Sequence, residues 1–483
     1  MNRNLEKQSG VLCLGPSPYS YSKMKLIIRS RAFVLAASIL AGYSIPAAAS
    51  ELVRFTNILS FSGTNGANPD AELVQEQDGT IYGTTASGGT NGQGCIFRYG
   101  GTNNGLSVAH SFTSADGASP LGRLVVGTDG DLYGTTSGGG SNGYGTVFRM
   151  GTNGSFASLL SFNDTNGAQP RAGLSAAPDG SFYGTAATGG TNGGGTAFRV
   201  STNGALATLA SFDVTAFEPY SPLLQSANGD LYGTTYLGGT SGNGTVFRLP
   251  TNGSLSLLYS FTNGADGANP YAGLVQGPDG GFYGTAFYGG SAGQGTVFEL
   301  AADGMFVPLV SFNGTNGAHP QGPLLLASDG YFYGTTQNGG AYTNQFGTGY
   351  GTVFQLDTNG LLTTVVSFNG TNGAFPRAGL MQASDGSLYG TTTYGGSSDN
   401  GTIFKLTIIP APVFQNISAE GNGITLTWSS VAGQTYQVVY AANLNQPTWN
   451  TVGPSVLATS SSTTTLDVPG SDQSRFYRIE LLP

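Results

Sequence analysis

Three features of the amino-acid sequence predict an all-β chain. A Tyr-Gly-Thr-Thr or Tyr-Gly-Thr-Ala motif occurs seven times, at successive spacings of 51, 50, 49, 51, 50 and 56 residues. Asp-Gly or Asn-Gly dipeptides separate short apolar runs in every unit, and such dipeptides mark β-hairpins. Helical periodicity is absent, and a repeat of this length is typical of propellers and solenoids. The sequence therefore predicts a seven-bladed β-propeller closed by an N-terminal strand, followed by a small fibronectin type III-like β-sandwich.

Each repeat unit predicts four short antiparallel strands. A leucine-headed first strand, a turn dipeptide and the Tyr-Gly-Thr strand are followed by a glycine-rich loop. A third strand of the Gly-Thr-Val-Phe type and a fourth strand ending in Ser-Phe complete the unit, and a loop with a fixed proline begins the next. A β-solenoid is the alternative, but its coils are shorter and do not need two hairpin turns each. The motif tyrosines are Tyr82, Tyr133, Tyr183, Tyr232, Tyr283, Tyr333 and Tyr389.

The first and last units indicate how the ring closes. Residues 52–61 form an orphan strand ending in Ser-Phe, whereas no fourth strand follows Phe404. We expect the N-terminal strand to complete the last blade, because closure leaves no exposed strand edge. Since large and small residues alternate on packed strands, we also expect each motif tyrosine to pack toward the glycine of the neighbouring blade.

Residues 1–49 predict a leader and a secretory signal peptide. A basic stretch at 25–31 precedes an apolar run at 32–45 and small residues that end at Ala49. This order is typical of secretion signals, so we expect cleavage after Ala49 and translation from Met24. The apolar run is shorter than the roughly 20 residues of a membrane span. We therefore expect an extracellular or outer-surface protein with no transmembrane segment in the mature chain.

Composition excludes some partners. The full chain of 483 residues has a net charge of −9, and only 9% of its residues are charged. Residues 1–50 hold six basic and one acidic side chain, so 11 basic and 25 acidic residues remain beyond them, a net charge of −14. No basic patch remains for nucleic acid. Cys95 stands where the other units have threonine, so we interpret it as a small buried substitute.

One repeat pattern resembles a known family. Residues 385–404 carry Asp-Gly, Tyr-Gly-Thr-Thr, Gly-Gly and Gly-Thr elements in the order found in all seven units. This pattern resembles the GloVer tandem-repeat family of secreted bacterial proteins, which have variable C-terminal anchors. The resemblance covers residues 52–407, and the sixth unit departs from it by a longer loop at 341–350. It implies a β-propeller-like extracellular or surface protein, and it brings no catalytic residues.

The C-terminal segment predicts a separate domain. We expect a propeller over residues 50–407, a proline-containing linker at 408–413 and the β-sandwich at 414–483. Both tryptophans of the chain lie in the last segment. Trp428 is interpreted as core. For Trp449, a core position and an exposed sugar-stacking position both stay open.

Few residues offer catalytic chemistry. The two histidines, His110 and His319, have no histidine or cysteine close by in sequence, so neither is expected to bind metal or transfer protons. Asp116 and Asp266 align with asparagines of other units and are interpreted as turn formers. We expect no cofactor, with calcium bound by loop oxygens as the alternative. Three acids of the first unit are interpreted as solvated surface rather than as a catalytic pair; they are Asp70, Glu72 and Glu76.

Binding residues are predicted where the units differ. The loops between second and third strands and the loops between blades are expected to share one face, and the later units enrich it in aromatic residues, Tyr220 among them. Arg171 and Arg377 lie on the same class of loop. Clustered aromatic rings with a few polar groups suit carbohydrate or peptide binding, although they equally serve to stiffen loops. The candidate site residues are Tyr236, Tyr271, Phe287, Tyr288, Tyr342, Phe346, Tyr350, Phe375, Arg377 and Tyr394.

The sequence favours a monomeric, noncatalytic binding protein. Its expected partner is a polysaccharide or a cell-envelope component, recognised through one propeller face. An extracellular polysaccharide lyase or hydrolase is the first alternative, and the shortage of histidines counts against it. A purely structural envelope protein is the second alternative.

Overall fold

The structure, a computed structural model, describes residues 52–100, 105–250, 254–301, 304–421, 423–442, 448–468 and 475–482. The predicted signal peptide and start site lie outside these residues. The described residues divide into two compact units, one within 55–407 and the other formed by 52–54 with those within 408–482. The described ranges contain no helix, and hence none long and apolar enough to cross a membrane.

The first unit, here called the repeat unit, consists of small antiparallel sheets. Its described residues form seven four-stranded sheets. Sheet 1 contains β2 (Val74–Gln75), β3 (Ile81–Thr85), β4 (Cys95–Tyr99) and β5 (Leu106–Ser111). Sheet 2 contains β6 (Val125–Val126), β7 (Leu132–Thr136), β8 (Thr146–Met150) and β9 (Phe156–Ser161). Sheet 3 contains β10 (Ser175–Ala176), β11 (Phe182–Ala186), β12 (Thr196–Val200) and β13 (Leu206–Ser211).

The remaining sheets follow the same order. Sheet 4 contains β15 (Leu224–Gln225), β16 (Leu231–Thr235), β18 (Thr245–Leu249) and β19 (Ser256–Ser260), with β14 (Ala216–Phe217) paired to β17 (Leu237–Gly238) beside it. Sheet 5 contains β20 (Val275–Gln276), β21 (Phe282–Ala286), β22 (Thr296–Leu300) and β23 (Phe306–Ser311). Sheet 6 contains β24 (Leu325–Leu326), β25 (Phe332–Thr336), β26 (Thr352–Leu356) and β27 (Leu362–Ser367).

Sheet 7 combines both ends of the repeat unit. It contains β28 (Met381–Gln382), β29 (Leu388–Thr392), β30 (Thr402–Ile409) and, beside β30, β1 (Leu52–Ser60). Phe61 N–H, just after β1, donates to the Gly401 carbonyl at 2.9 Å. The equivalent bond in sheet 1 runs from Phe112 N–H, just after β5, to the Gly94 carbonyl at 3.0 Å. The N-terminal strand thus supplies the missing fourth strand, as predicted.

Neighbouring sheets share apolar side chains. Tyr133 of sheet 2 packs on Phe182 of sheet 3, with ring centroids 4.4 Å apart. One buried cluster joins Tyr389 of sheet 7 to Leu73 and Phe97 of sheet 1. Because the last sheet packs on the first through such contacts, the succession of sheets is closed.

The expected contact between each motif tyrosine and a neighbouring glycine is wrong. A Cβ atom on Gly83 would lie 2.5 Å from Phe97 Cζ, and Phe97 is its cross-strand partner within the same sheet. At all seven strand glycines the corresponding distance is 2.4–2.7 Å. The glycine therefore makes room for a phenylalanine of its own sheet. The tyrosine points to the next sheet, where it meets the residue before the next motif tyrosine.

Polar repeat positions are structural. Tyr133 Oη donates to Asp129 Oδ2 at 2.7 Å, so the turn aspartate also anchors the motif tyrosine. Asp116 Oδ1 accepts the Thr113 N–H at 2.7 Å, as a turn former does. Cys95 is buried beside Thr85, and burial raises the pKa of its thiol. The interpretation of Cys95 as a buried substitute for threonine is confirmed.

The C-terminal unit contains two small sheets among its described residues. One orders β31 (Phe414–Glu420), β32 (Gly423–Ser429) and β36 (Ser462–Asp467). The other centres on β33 (Thr435–Ala441), which pairs with β34 (Asn450–Thr451), β35 (Val456–Leu457) and β37 (Phe476–Leu482). Trp428 is fully buried against Tyr436, which confirms its core position. Trp449 is half-buried beneath the Arg478 guanidinium, whose Cζ lies 4.4 Å from the ring centroid.

Candidate functional site

Two classes of loop lie side by side at one end of the strands. The loop that precedes each first strand forms a backbone bridge with the loop between the second and third strands of the same sheet. This position defines one surface, here called the loop face, and agrees with the predicted shared face. The bridges join Ala67 to Ser87, Ala118 to Gly138, Ala168 to Thr188, Ala216 to Gly238, Ala268 to Tyr288, Ala318 to Asn338 and Ala374 to Tyr394.

The residue before each loop proline has an unusual backbone conformation. All seven have positive φ, and none of them is glycine. Positive φ is uncommon for residues other than glycine, and the proline that follows restricts the backbone further. His319 N–H donates to the Gln294 carbonyl of sheet 5 at 2.8 Å, and its carbonyl accepts from Gln337 of sheet 6 at 3.0 Å. Contacts on both sides thus hold the strained backbone, while the side chain is free to vary. The φ values are 56° at Asn68, 51° at Ser119, 53° at Gln169, 58° at Glu218, 56° at Asn269, 57° at His319 and 55° at Phe375.

The residues after the loop prolines, here called the post-proline residues, also differ from unit to unit. Some members of consecutive sheets touch each other. Arg377 Nη1 lies 3.7 Å from Asp70 Oδ2, and Arg171 Cζ lies 5.0 Å from the centroid of the Tyr220 ring, which also contacts Tyr271. Two groups of these variable side chains are therefore in contact on the loop face. The seven post-proline residues are Asp70, Leu121, Arg171, Tyr220, Tyr271, Gln321 and Arg377.

A cavity of about 590 Å³ lies where the first strands of all seven sheets converge. Leucine is the commonest residue of its wall, and Glu72 and Arg123 line it as well. Their side chains form an ion pair of 3.4 Å between Oε2 and Nη1. The cavity therefore combines an apolar wall with one charged pair. Its lining from successive sheets includes Leu73, Leu124, Ser175, Leu223, Leu274, Leu324 and Leu380.

The expectation that Asp70 and Glu72 are solvated surface side chains is wrong. Their side chains are 16% and 15% exposed, because each is enclosed at a contact with an adjacent sheet. Burial raises the pKa of both carboxyls, and the nearby arginines, Arg377 and Arg123, only partly oppose it. Glu76 is half-buried, and burial raises its pKa as well.

Ring contacts gather eight of the ten candidate residues into three clusters. The first cluster joins Tyr236 and Tyr271 to Tyr220, with centroid distances of 4.9–5.8 Å. Tyr220 Oη donates to Glu218 Oε2 at 2.8 Å. Burial and this bond raise the pKa of Tyr220, so its hydroxyl stays protonated at neutral pH. Arg171 stacks on the other side of this cluster.

The second cluster contains Phe287, Tyr288 and His319. The histidine ring lies 5.0 Å from the Phe287 centroid and 5.4 Å from that of Tyr288. Its Nδ1 lies 3.2 Å from Asn338 Oδ1, and burial lowers its pKa. His319 is therefore a neutral aromatic member of the loop face.

The third cluster contains Tyr350, Phe375, Tyr394 and Arg377. Phe375 lies 6.4 Å from the Tyr350 centroid and 6.0 Å from that of Tyr394, and Arg377 Cζ lies 5.9 Å from the Tyr394 centroid. Sheets 6 and 7 supply these residues. The cluster thus crosses the boundary between two sheets.

Tyr342 and Phe346 lie on the longer loop of the sixth unit. They are 51% and 76% exposed, against 42% for Tyr288 and 37% for Tyr394. These four side chains present the most accessible aromatic surface among the candidate residues. His110 lies elsewhere, stacked on Phe156 at 3.7 Å and bonded to Asp116.

Of the seven post-proline residues, the candidate set included Tyr271 and Arg377 alone. Arg171, Tyr220 and Asp70 were left out, although each contacts another post-proline residue. An internal alignment of the seven units on the loop proline would have revealed them, because five different residue types follow that fixed proline.

Comparisons with known proteins place the chain in a family. The family model of the Gloeobacter/Verrucomicrobia repeat matches residues 43–223 and 218–443. Among curated protein sequences, none is significantly similar to this chain. The sequence match therefore rests on the repeats themselves.

Several solved structures are similar in fold. An extracellular domain of a candidate hybrid two-component system from B. thetaiotaomicron has a TM-score of 0.50 and 11% identity, and covers 78% of this chain and 45% of its own. This chain thus corresponds to about half of that domain. A candidate 6-phosphogluconolactonase from Bacteroides uniformis has a TM-score of 0.46 and 17% identity, and the match covers 80% of this chain and 98% of that protein. The BP39L lectin from Burkholderia pseudomallei has a TM-score of 0.42 and 10% identity, and the match covers 82% of this chain and 100% of the lectin.

The first of these likenesses concerns the fold alone, and the two lower-scoring ones carry no argument. The chain is all-β in its described residues, built of small antiparallel sheets, and has β-propeller-like structural neighbours. The family match covers more than half of the chain, and the resemblance inferred from the repeat pattern is confirmed. The chain belongs to the Gloeobacter/Verrucomicrobia repeat family.

Proposed function

We propose that the chain is a secreted or cell-surface, noncatalytic binding protein that recognises carbohydrate or an envelope component through its loop face. The observation that carries this proposal is the concentration of aromatic clusters on that one face. Two side chains of the clusters, Tyr288 and Tyr394, and two of the longer loop, Tyr342 and Phe346, are at least 37% exposed. Aromatic rings with few polar groups suit sugar rings. The proposed location rests on the predicted signal peptide.

The proposal includes an architecture. The seven sheets would be the blades of a seven-bladed β-propeller over residues 50–407, and 414–483 would form a fibronectin type III-like sandwich after a linker at 408–413. The packing of each sheet on the next and the shared cavity support the propeller. The two facing sheets of the C-terminal unit, with three and four described strands, support the sandwich.

A glycan array and a thermal-shift screen test the binding proposal. The triple variant Tyr288→Ala, Tyr342→Ala, Tyr394→Ala is expected to lose glycan binding by at least tenfold, because each aromatic contact contributes about 0.5–1.5 kcal/mol and three are removed. Its melting temperature is expected to stay within about 3 °C, since surface substitutions change stability little.

Tyr144→Ala is the matched control. Tyr144 is 40% exposed on the same class of loop, but in sheet 2, away from the aromatic clusters. Its loss is expected to leave binding unchanged. Unfolding of the triple variant would instead show that the rings stiffen the loops, and absence of any glycan ligand would leave the structural alternative. Repeating the screen with and without calcium tests the metal alternative.

One observation favours the enzymatic alternative. Asp70 and Glu72 are both largely enclosed with raised pKa values, and a raised carboxyl pKa suits a general acid. Each is nevertheless paired with an arginine. Release of new reducing or unsaturated sugar ends by the wild-type protein, abolished in Asp70→Asn or Glu72→Gln, would replace the binding proposal with a catalytic one.

A further inference from the structure

Two arginines occupy the same repeat position but meet different partners. Arg171 in sheet 3 and Arg377 in sheet 7 both follow the loop proline, and each reaches toward the post-proline residue of the next sheet. For Arg377 that residue is Asp70, whose carboxylate lies 3.7 Å from the guanidinium. For Arg171 it is Tyr220, which offers an aromatic face at 5.0 Å.

The charge of Arg377 is therefore compensated within the protein, and that of Arg171 is not. The described residues give Arg171 a cation–π contact with Tyr220 and no ion pair or hydrogen bond. Its Nε is buried without a hydrogen-bond partner, and the same holds for Nε of Arg377. The internal carboxylate, rather than the buried Nε, thus distinguishes the two sites. A half-buried guanidinium gains most from a carboxylate, which it binds in a bidentate manner.

The surroundings of Arg171 suit a sugar. Tyr220 packs at 4.9 Å from Tyr271 and 5.3 Å from Tyr236, and the three rings are inclined to one another by 39–79°, so the guanidinium lies beside an aromatic cluster. The nearby acid, Glu218, already accepts a bond from Tyr220 Oη. A ligand that packs a sugar ring against this cluster and offers a carboxylate to Arg171 would satisfy both features.

From this asymmetry we infer that the loop face carries an acidic-sugar subsite at Arg171, in which the guanidinium binds the carboxylate of a uronic acid and Tyr220, Tyr236 and Tyr271 contact sugar rings. The inference rests on the proposed carbohydrate binding and specifies its substrate class. The chain is strongly acidic beyond its leader, so its net charge repels an acidic sugar at long range, and recognition depends on contact at this subsite.

Isothermal titration of the full chain with two probes tests the inference. One probe is an oligomer of about six galacturonic acid residues, and the other is the same oligomer with its carboxylates methyl-esterified. The acidic oligomer is expected to bind at least tenfold tighter, because charge-assisted bonds to an ionised group are about twice as strong as neutral ones. Arg171→Gln is expected to lower the affinity for the acidic oligomer to about that for the ester.

Two further variants use the asymmetry itself. Arg377→Gln removes the compensated arginine and is expected to change the acidic preference less than about twofold. Tyr220→Asp gives Arg171 an acidic neighbour equivalent to Asp70 beside Arg377. It is expected to abolish the preference for the acidic oligomer, because the new carboxylate forms an ion pair with the Arg171 guanidinium. Thermal melts establish whether each variant is folded. If Arg377→Gln or Tyr220→Asp does not fold, the result for Arg171→Gln decides the inference by itself.

The outcomes separate the two levels of the proposal. Equal binding of both oligomers, or equal loss of the preference in Arg171→Gln and Arg377→Gln, overturns the acidic subsite and leaves carbohydrate binding standing. Failure of both oligomers and of every glycan on the array to bind overturns both.

Discussion

The second strands of the sheets and the post-proline residues of the loop face follow opposite rules. In the strands, the same tyrosine, glycine and threonine recur in all seven sheets, and they are buried each time. After the loop proline, the side chain is acidic, basic, aromatic, amide or aliphatic, depending on the sheet. Recurrence marks positions where every sheet needs the same packing contact. Variation marks positions that the fold leaves open, and those are the positions to test for function.

The largest expected effect on stability comes from removing β1, the strand that completes sheet 7 of the repeat unit. Deleting residues 52–60 removes β1 and exposes the edge of β30, so the melting temperature is expected to fall by roughly 10 °C or more. A chain lacking only residues 1–51 is the control. An unchanged melting curve in the deletion would show that sheet 7 is complete without β1.

A single strand glycine is expected to have the next largest effect. A Cβ on Gly184 would lie 2.5 Å from Phe198 Cζ and 2.9 Å from Leu174 Cδ2. Gly184→Ala is therefore expected to reduce the free energy of unfolding by about 1–3 kcal/mol, the usual range for overpacking.

A second substitution tests the cause. If the added methyl group strikes Phe198, then Phe198→Leu should relieve part of the cost, so that the double variant loses less stability than the two single variants summed. Strictly additive losses in chemical denaturation would argue that backbone effects, rather than this contact, require the glycine.

The smallest expected effect concerns pH. Burial lowers the pKa of His110, while Asp116 opposes the shift, and burial likewise lowers that of His319. Because the unfolded chain then binds protons more readily, stability is expected to fall as the pH drops through the unfolded value of about 6.5. His110→Leu, which installs the residue found at Leu160, is expected to reduce this loss of melting temperature. Equal losses in both proteins between about pH 7.5 and about pH 5.5 would contradict the assignment.

The sequence alone predicts what depends on local chemistry. The turn roles of Asp116 and Asp266, the substitution of Cys95 for threonine and the pairing of β1 in sheet 7 all follow from residue types and their spacing. The partner of each strand glycine was predicted wrongly, because alternation along a strand does not say whether the cross-strand phenylalanine or the neighbouring sheet fills the space.

Contacts between sheets were the other failure. Asp70 and Glu72 lie two residues apart, yet they pair with arginines from opposite neighbours, Arg377 in sheet 7 and Arg123 in sheet 2. Nothing in the local sequence shows that these arginines approach within about 4 Å, because the approach depends on how the sheets are offset. The clustering of Tyr220, Tyr236 and Tyr271 depends on the same offset.

The pairing of β1 with β30 sets a delay in the life of each newly made chain. Residues 60 and 402 are separated by 402 − 60 = 342 positions, so the first strand is synthesised long before its partner. At roughly 5–20 residues per second, the wait lasts tens of seconds. Throughout that time the nine-residue segment Leu52–Ser60 presents unpaired backbone groups and apolar side chains, which are the features that lead to aggregation. A linear repeat array can complete each unit as it emerges, whereas sheet 7 of this chain can form only once both ends of the repeat unit are present.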